Sequence, residues 1–290
     1  MSDAPIRRLA IFGVGLIGGS LALALRKAGF VGEIVGCSRR ASHLREAVEL
    51  GVIDRYSLDA AEAVSGADVV FVAVPLGAMR QVFEAMRPGL DPDAIITDGG
   101  SAKQCVVDDA RAAFGRIPPG FVPGHPIAGT EKSGVAAAFP ELYANRRVIL
   151  TPVEETAPEA VARVRAMWQA AGAEVEEMEV HHHDEVLAAT SHLPHMLAFG
   201  LVDSLARLRD NDEIFRYAAG GFRDFTRIAS SDPVMWRDIC IHNRDAILEM
   251  TARYQADLNE MMQAIEQGDG ETLLEIFSRA KAARDRFCND

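Results

Sequence analysis

Four stretches of this sequence hold residue types that do chemistry rather than fill a core. GHPIAGTEKSG, Gly124 to Gly134, sets His125 directly before Pro126, which restricts the histidine backbone to extended conformations. A neutral imidazole held in place can take a proton near neutral pH. TDGGSAK puts Ser101 in a loop, where its hydroxyl could reach a ligand or cap the helix starting near Lys103. TSHLPHMLAFG places His192 and His195 three residues apart, neighbours on a helix, with Pro194 disturbing the turn between them. GGFRDFTRIASSDPVMWRD carries Asp224, Arg227 and Trp236. Asp224 and Arg227 fit an exposed i, i+3 ion pair, or an arginine aimed at a substrate carboxylate by its acidic neighbour. No carboxylate cluster completes a metal site around these histidines, and His181-His182-His183 reads as a polar helix start. No metal is expected.

The elements that would position these residues fall into two kinds. Up to about residue 180 the chain alternates short apolar runs with helical stretches. Leu9-Phe12, Glu33-Cys37, Asp68-Pro75, Ala94-Asp98, Phe121-Val122, Arg147-Thr151 and Glu174-Met178 read as strands. Leu16-Ala28, Ser42-Leu50, Lys103-Phe114 and Pro158-Ala171 read as helices. This pattern predicts a mostly parallel, doubly wound sheet covered by helices, a Rossmann-type α/β domain over 1–180. Beyond His181 there is no convincing strand. Asp184-Leu208, Pro233-Gln267 and Glu271-Phe287 are helical, with Asp232-Pro233 as a start signal and Gly268-Asp269-Gly270 as a stop. An all-helical domain is expected over 181–290. Its thin core suggests pairing with a second copy.

GVGLIG, Gly13 to Gly18, follows the first strand and opens a helix, the setting in which a GxGxxG motif cradles a dinucleotide. Gly13 permits the turn, Gly15 lets the pyrophosphate approach, and Gly18 allows close helix packing. Leu16 and Ile17 open the helix whose N-terminus faces the phosphates. Val74 and Pro75, ending the Asp68-Pro75 strand, border the same site. The second strand ends in Ser38-Arg39-Arg40 rather than an acidic residue, and Glu33 lies at its start. That ending suits a 2′-phosphate, so NADP is favoured over NAD.

The remaining composition restricts the class. The 290 residues are 49% hydrophobic and 25% charged, a globular composition. No apolar run is long enough for a membrane span, and no signal peptide is read. A net charge of −12 argues against nucleic acid. Four scattered cysteines suggest a reducing, cytoplasmic setting.

GVGLIGGS, DGGSAK, GHPIAGTEKSG, TSHLPH and GGFRDFTRIASSDPVMWRD together resemble the prephenate/arogenate dehydrogenase family of tyrosine biosynthesis. The resemblance runs from about Arg8 into the last helices. It implies a Rossmann domain, a helical dimerisation domain, and NAD(P)-dependent oxidative decarboxylation of a cyclohexadienol. By the matching motifs, His125 would accept the 4-hydroxyl proton, and Ser101 would hold that hydroxyl and the nicotinamide. Arg227 would bind a substrate carboxylate, and Ser191, His192, His195, Thr130, Glu131 and Trp236 would line the pocket. Two other readings compete. A β-hydroxyacid-type dehydrogenase would call for a lysine within Asp184-Leu208, which has none. A non-catalytic NADP sensor would leave His125, Ser101 and Arg227 without a role.

Overall fold

The computed structural model describes residues 6–130, 132–209 and 211–287. Six strands, β1 (Ile6–Phe12), β2 (Val31–Cys37), β3 (Arg55–Ser57), β4 (Val69–Val72), β5 (Ile95–Asp98) and β6 (Phe121–Val122), form one sheet. They pair in parallel in the order β3-β2-β1-β4-β5-β6. All four residues of β4 are buried, as a strand covered on both faces must be. Helices α1 (Leu16–Lys27), α2 (Ala41–Glu49), α3 (Ala60–Val64), α4 (Met79–Met86), α5 (Gln104–Phe114) and α6 (Pro158–Ala170) accompany it. β3, α3 and α4 were not anticipated from sequence; β3 and α3 are too short to show a period.

The expected single sheet is in fact two. β7 (Gly124–Pro126), β8 (Arg147–Leu150) and β9 (Glu174–Glu177) form a separate three-stranded sheet. β7 runs antiparallel to β8, and β8 parallel to β9. The break falls at Pro123, which has no N–H for a ladder. The chain therefore leaves the parallel sheet just beyond its carboxyl edge, carrying His125 into a different sheet. An aromatic cluster packs the core: Trp168 meets Phe71 edge-on at 5.5 Å and Tyr143 at 5.0 Å. The Tyr143 hydroxyl donates to the Ile17 carbonyl at 2.6 Å, fastening the first turn of α1.

The helical stretch from Asp184 to Leu208 is also divided. It consists of α7 (Val180–Leu187), a π turn at Ala188–His192, and α8 (Leu193–Ala206). Pro194 lacks an N–H, and its ring crowds the carbonyl four residues back, so the helix widens there. α9 (Asn211–Arg216) and α10 (Gly220–Thr226) follow. The Pro233-Gln267 helix is likewise two, α11 (Pro233–His242) and α12 (Arg244–Gln267), parted at Asn243 (φ −108, ψ 36). The start signal is as anticipated: Asp232 Oδ1 accepts from the N–H groups of Val234 (2.8 Å) and Met235 (2.9 Å). Gly268, at φ +67, ends α12, and α13 (Gly270–Phe287) is the last described element.

The chain divides into two compact units, residues 1–244 and 245–290. The first holds both sheets and helices α1 to α11. The second is the rest of α12 and α13, where Leu248, Ile265, Leu274 and Phe277 are exposed. No described helix is long and apolar enough to cross a membrane.

Candidate active site

The glycine turn sits where β1 hands over to α1, beside β4. This is the point at which the strand order reverses, and ligands of such sheets bind there. Gly13 adopts φ +86, and a Cβ would collide with the Ala73 carbonyl. Gly15 differs: nothing lies within 4 Å of where its Cβ would be. Gly15 is also the N-cap of α1 and offers no side-chain acceptor to the first-turn N–H groups. An open approach to uncapped N–H groups fits a pyrophosphate. Leu16 is buried and Ile17 partly so. Val74 is half-buried and Pro75 exposed, both just past β4. Ser38, Arg39 and Arg40 follow β2 directly, and both arginines are exposed. Glu33 is occupied elsewhere, accepting from Arg8 Nε at 2.5 Å and Arg55 Nε at 2.7 Å.

His125 is 8% exposed and makes a chain of contacts that the sequence did not suggest. Its Nδ1 lies 2.9 Å from His183 Nε2, and His183 Nδ1 lies 2.8 Å from Asp184 Oδ1. His183 is therefore not part of a solvated helix start, although His181 and His182 are exposed as expected. Its helical phase explains this. Val180, His183, Asp184 and Leu187 are the buried residues of α7, at i, i+3, i+4 and i+7. That spacing was the available signal: two polar residues on the inward stripe.

Asp184 is 3% exposed and fully engaged. Oδ1 accepts the Lys103 N–H at 2.7 Å and Oδ2 the Gln104 N–H at 2.9 Å. Asp184 thus caps α5, and Ser101 does not. Burial opposes ionisation of Asp184, but hydrogen bonds from His183 and from the Gln104 and Lys103 N–H groups hold its pKa below the usual value. Burial lowers the pKa of His183. Burial also holds His125 well below its ordinary value, with the charges of His183, Lys103 and His192 acting the same way.

These directions assign the protons. An ionised Asp184 can only accept, so His183 Nδ1 donates to it. Neutral His183 then presents a lone pair at Nε2, and His125 Nδ1 donates there. His125 is left with an unprotonated Nε2, the form a base requires.

Beneath this chain lies a buried ion pair. Lys103, wholly buried, donates through Nζ to Asp98 Oδ2 and to the Gly124 carbonyl at 2.7 Å. Asp98 also accepts the N–H groups of Gly100 (2.7 Å) and Gly124 (3.1 Å). The loop holding Ser101 and the strand holding His125 are thereby tied to one carboxylate. Ser101 itself is partly buried.

Five of the other anticipated residues, Ser191, His192, His195, Arg227 and Trp236, lie together in a second cluster. His195 stacks on Trp236, with centroids 3.7 Å apart and planes at 19°. His195 Nδ1 donates to the Ser191 carbonyl at 2.8 Å. Burial lowers the His195 pKa, and the Arg227 charge adds to this, so Arg227 is near. His192 is edge-on to Trp236 at 6.2 Å, and its pKa is lowered to about 4 by burial. The expected Asp224–Arg227 pair does not form, though both residues are exposed. α10 ends at Thr226 and Arg227 begins a 3-10 turn, and neither exposed side chain is held to the other. Thr130 lines a cavity of about 290 Å³ with Ile127, Gly129 and Arg146. Glu131 lies outside the described residues.

A parallel sheet in this order, with a glycine turn at its switch point, defines a Rossmann-type dinucleotide-binding protein. Comparison with known proteins narrows this. The prephenate dehydrogenase nucleotide-binding domain matches residues 21–177, and the prephenate dehydrogenase dimerization domain matches residues 179–279. The chain belongs to the prephenate dehydrogenase family. It is 39% identical over 282 residues to a cyclohexadienyl dehydrogenase of Zymomonas mobilis, covering 96% of this chain and 95% of that one. A prephenate dehydrogenase of Bacillus subtilis is also 39% identical over 282 residues, covering 96% and 75%. The prephenate dehydrogenase of Aquifex aeolicus, solved with hydroxyphenyl propionate and NAD+, superposes with a TM-score of 0.89. It is 37% identical, over 96% of this chain and 97% of that one. The arogenate dehydrogenase of Synechocystis gives 0.81 at 30% identity, over 97% and 99%.

Two predictions follow from this geometry. Gly15→Ala leaves the melting temperature of the unliganded protein unchanged or slightly raised, but weakens dinucleotide binding by about tenfold or more. Gly13→Ala lowers the melting temperature outright. Thermal melts and fluorescence titrations check both. The second prediction concerns acid. The unfolded chain protonates His125, His183 and His192 near pH 6.5, whereas the folded chain resists. Stability is therefore full above about pH 6.5 and declines as pH falls toward 4, by up to about 1.4 kcal/mol per pH unit for each histidine. Denaturant unfolding at stepped pH measures the slope, and His192→Asn should reduce it.

Proposed function

We propose that this protein catalyses the oxidative decarboxylation of prephenate, arogenate or both, with hydride transfer to NAD(P), in tyrosine biosynthesis. The observation that carries this reading is the Asp184–His183–His125 chain, which leaves His125 Nε2 as a neutral base. Nicotinamide, when bound, supplies the hydride acceptor. The protein's own share is orientation and one proton. His125 takes the 4-hydroxyl proton as hydride leaves C4 and carbon dioxide leaves C1. It returns the proton to the phenolic oxygen once the ring is aromatic, so the step needs no net acid or base. Aromatisation drives the loss of the carboxylate.

Ser101 holds the 4-hydroxyl and the nicotinamide end. Arg227 binds a substrate carboxylate, since a guanidinium fork matches that group and its charge acts on the His195 cluster. Ser191, His192, His195, Thr130 and Trp236 line the pocket, and Asp224 flanks it. Gly13, Gly15, Leu16, Ile17, Gly18, Val74 and Pro75 hold the dinucleotide. The exposed Arg39 and Arg40 favour a 2′-phosphate and hence NADP, while the Aquifex aeolicus relative binds NAD+. Residues 1–180 serve as the nucleotide-binding domain and 181–290 as the substrate and dimerisation domain. A cytoplasmic homodimer is part of the same proposal. It is supported by the dimerization-domain match and by the exposed apolar residues of α12 and α13.

Initial rates with prephenate or arogenate, each with NADP+ or NAD+, test the reading. Turnover is expected with at least one pair, and an empty grid would sink the proposal. His125→Asn should lower kcat by about 10²–10⁴-fold with little change in KM. Arg227→Ala should mainly raise KM.

A further inference from the structure

His192 has two ring nitrogens in different situations. Nδ1 lies 3.0 Å from Asn243 Nδ2, while Nε2 is buried and has no hydrogen-bond partner. Asn243 is itself buried, at the break between α11 and α12. Its Nδ2 also lies 2.9 Å from the backbone carbonyl of Asp184. A carbonyl oxygen only accepts, so the atom facing it must be the amide nitrogen. Placing the amide oxygen there would set two acceptors against each other. This removes the usual ambiguity of an asparagine side chain. The amide's second hydrogen then points at His192 Nδ1, which must carry a lone pair. Burial keeps His192 neutral, with its pKa lowered to about 4, so the one ring proton sits on Nε2.

We propose that Asn243 is a positioning residue that locks His192 in its Nε2–H tautomer, giving the substrate pocket an uncharged donor for an acceptor oxygen of the bound substrate. The proposal rests on the reading that His192 lines that pocket. Three features support it beyond tautomer logic. The donor is buried and unpartnered, and buried donors ordinarily have partners. His192 sits beside Trp236, and the Ser101 backbone raises its pKa as a partial acceptor without completing a hydrogen bond to the ring. The Asp184 carbonyl that orients Asn243 belongs to the residue whose carboxylate orients His183. One residue thus sets three histidines, directly or through a neighbour: His183 and His125 are held Nδ1–H, and His192 is held Nε2–H.

The test is nitrogen NMR of histidine-labelled protein, with His192→Phe identifying the resonance, combined with kinetics. In the native protein, His192 Nδ1 should show an unprotonated shift and Nε2 a protonated one, with or without substrate. Asn243→Asp replaces the donor by an acceptor, so Nδ1 should become protonated, and kcat/KM should fall by about tenfold or more. A general loss of packing would not reverse the tautomer. If Asn243→Asp fails to fold, Asn243→Ser removes the double donor at a helix break and should leave His192 with mixed tautomers and the same loss. A native His192 protonated at Nδ1 overturns the proposal. So does a reversed tautomer with unchanged kcat/KM. If His192→Phe retains native kinetics while the tautomer is as assigned, the pocket reading fails and the donor role falls with it; the tautomer lock itself would still be visible by NMR.

Discussion

The site depends on one buried carboxylate. Asp184 accepts two backbone N–H groups from the start of α5 and one ring N–H from His183. An isolated carboxylate would not stay ionised at 3% exposure. Three donors make the charge tolerable, and the charge makes the donors' orientations obligatory. The same group therefore terminates a helix of the nucleotide-binding half and sets the proton positions along His183 and His125. Substrate chemistry and nucleotide binding share a strut rather than merely a boundary.

The Lys103–Asp98 pair plays the companion role beneath it. Removing one partner of such a pair typically costs about 3–5 kcal/mol, because the other charge is left buried and alone. Its value here is geometric. Asp98 ends β5, Lys103 precedes α5, and Gly124 begins β7. Backbone and side-chain bonds to this pair hold the Ser101 loop and His125 strand together at the carboxyl edge of the parallel sheet. The acidic protein, with a net charge of −12, thus reserves buried positive charge for the neighbourhood of the base. That charge helps keep His125 neutral.

Much of this was legible in the sequence. The glycine turn, the β-branched run of β4 and the Asp232-Pro233 helix start are local signals, and local signals survive without tertiary context. His125 could be singled out because Pro126 and the surrounding glycines leave it no ordinary structural role. Its partners were harder to see. A run of three histidines looks solvated until its helical phase is set, and the Val180–Leu187 stripe sets it only once α7 is known to begin at Val180. Lys103 gave no signal, since nothing in its neighbourhood distinguishes a buried lysine from a solvated one. The Asp224–Arg227 spacing misled for a different reason: i, i+3 proximity permits an exposed ion pair but is worth too little to enforce one.

By itself, then, the sequence determined the parallel Rossmann sheet, the helical second half and the residue types that could bind a dinucleotide and move a proton. These follow from periodicity and from backbone demands that only glycine or proline meets. The tertiary structure decided which nitrogen of each histidine carries the proton, and that β7 leaves one sheet for another. It also brought Asn243 to His192 across 51 residues and Asp184 to α5 across 80. Those outcomes depend on buried polar groups finding partners far along the chain. No local pattern encodes them, because the energy that enforces them exists only once water has been excluded.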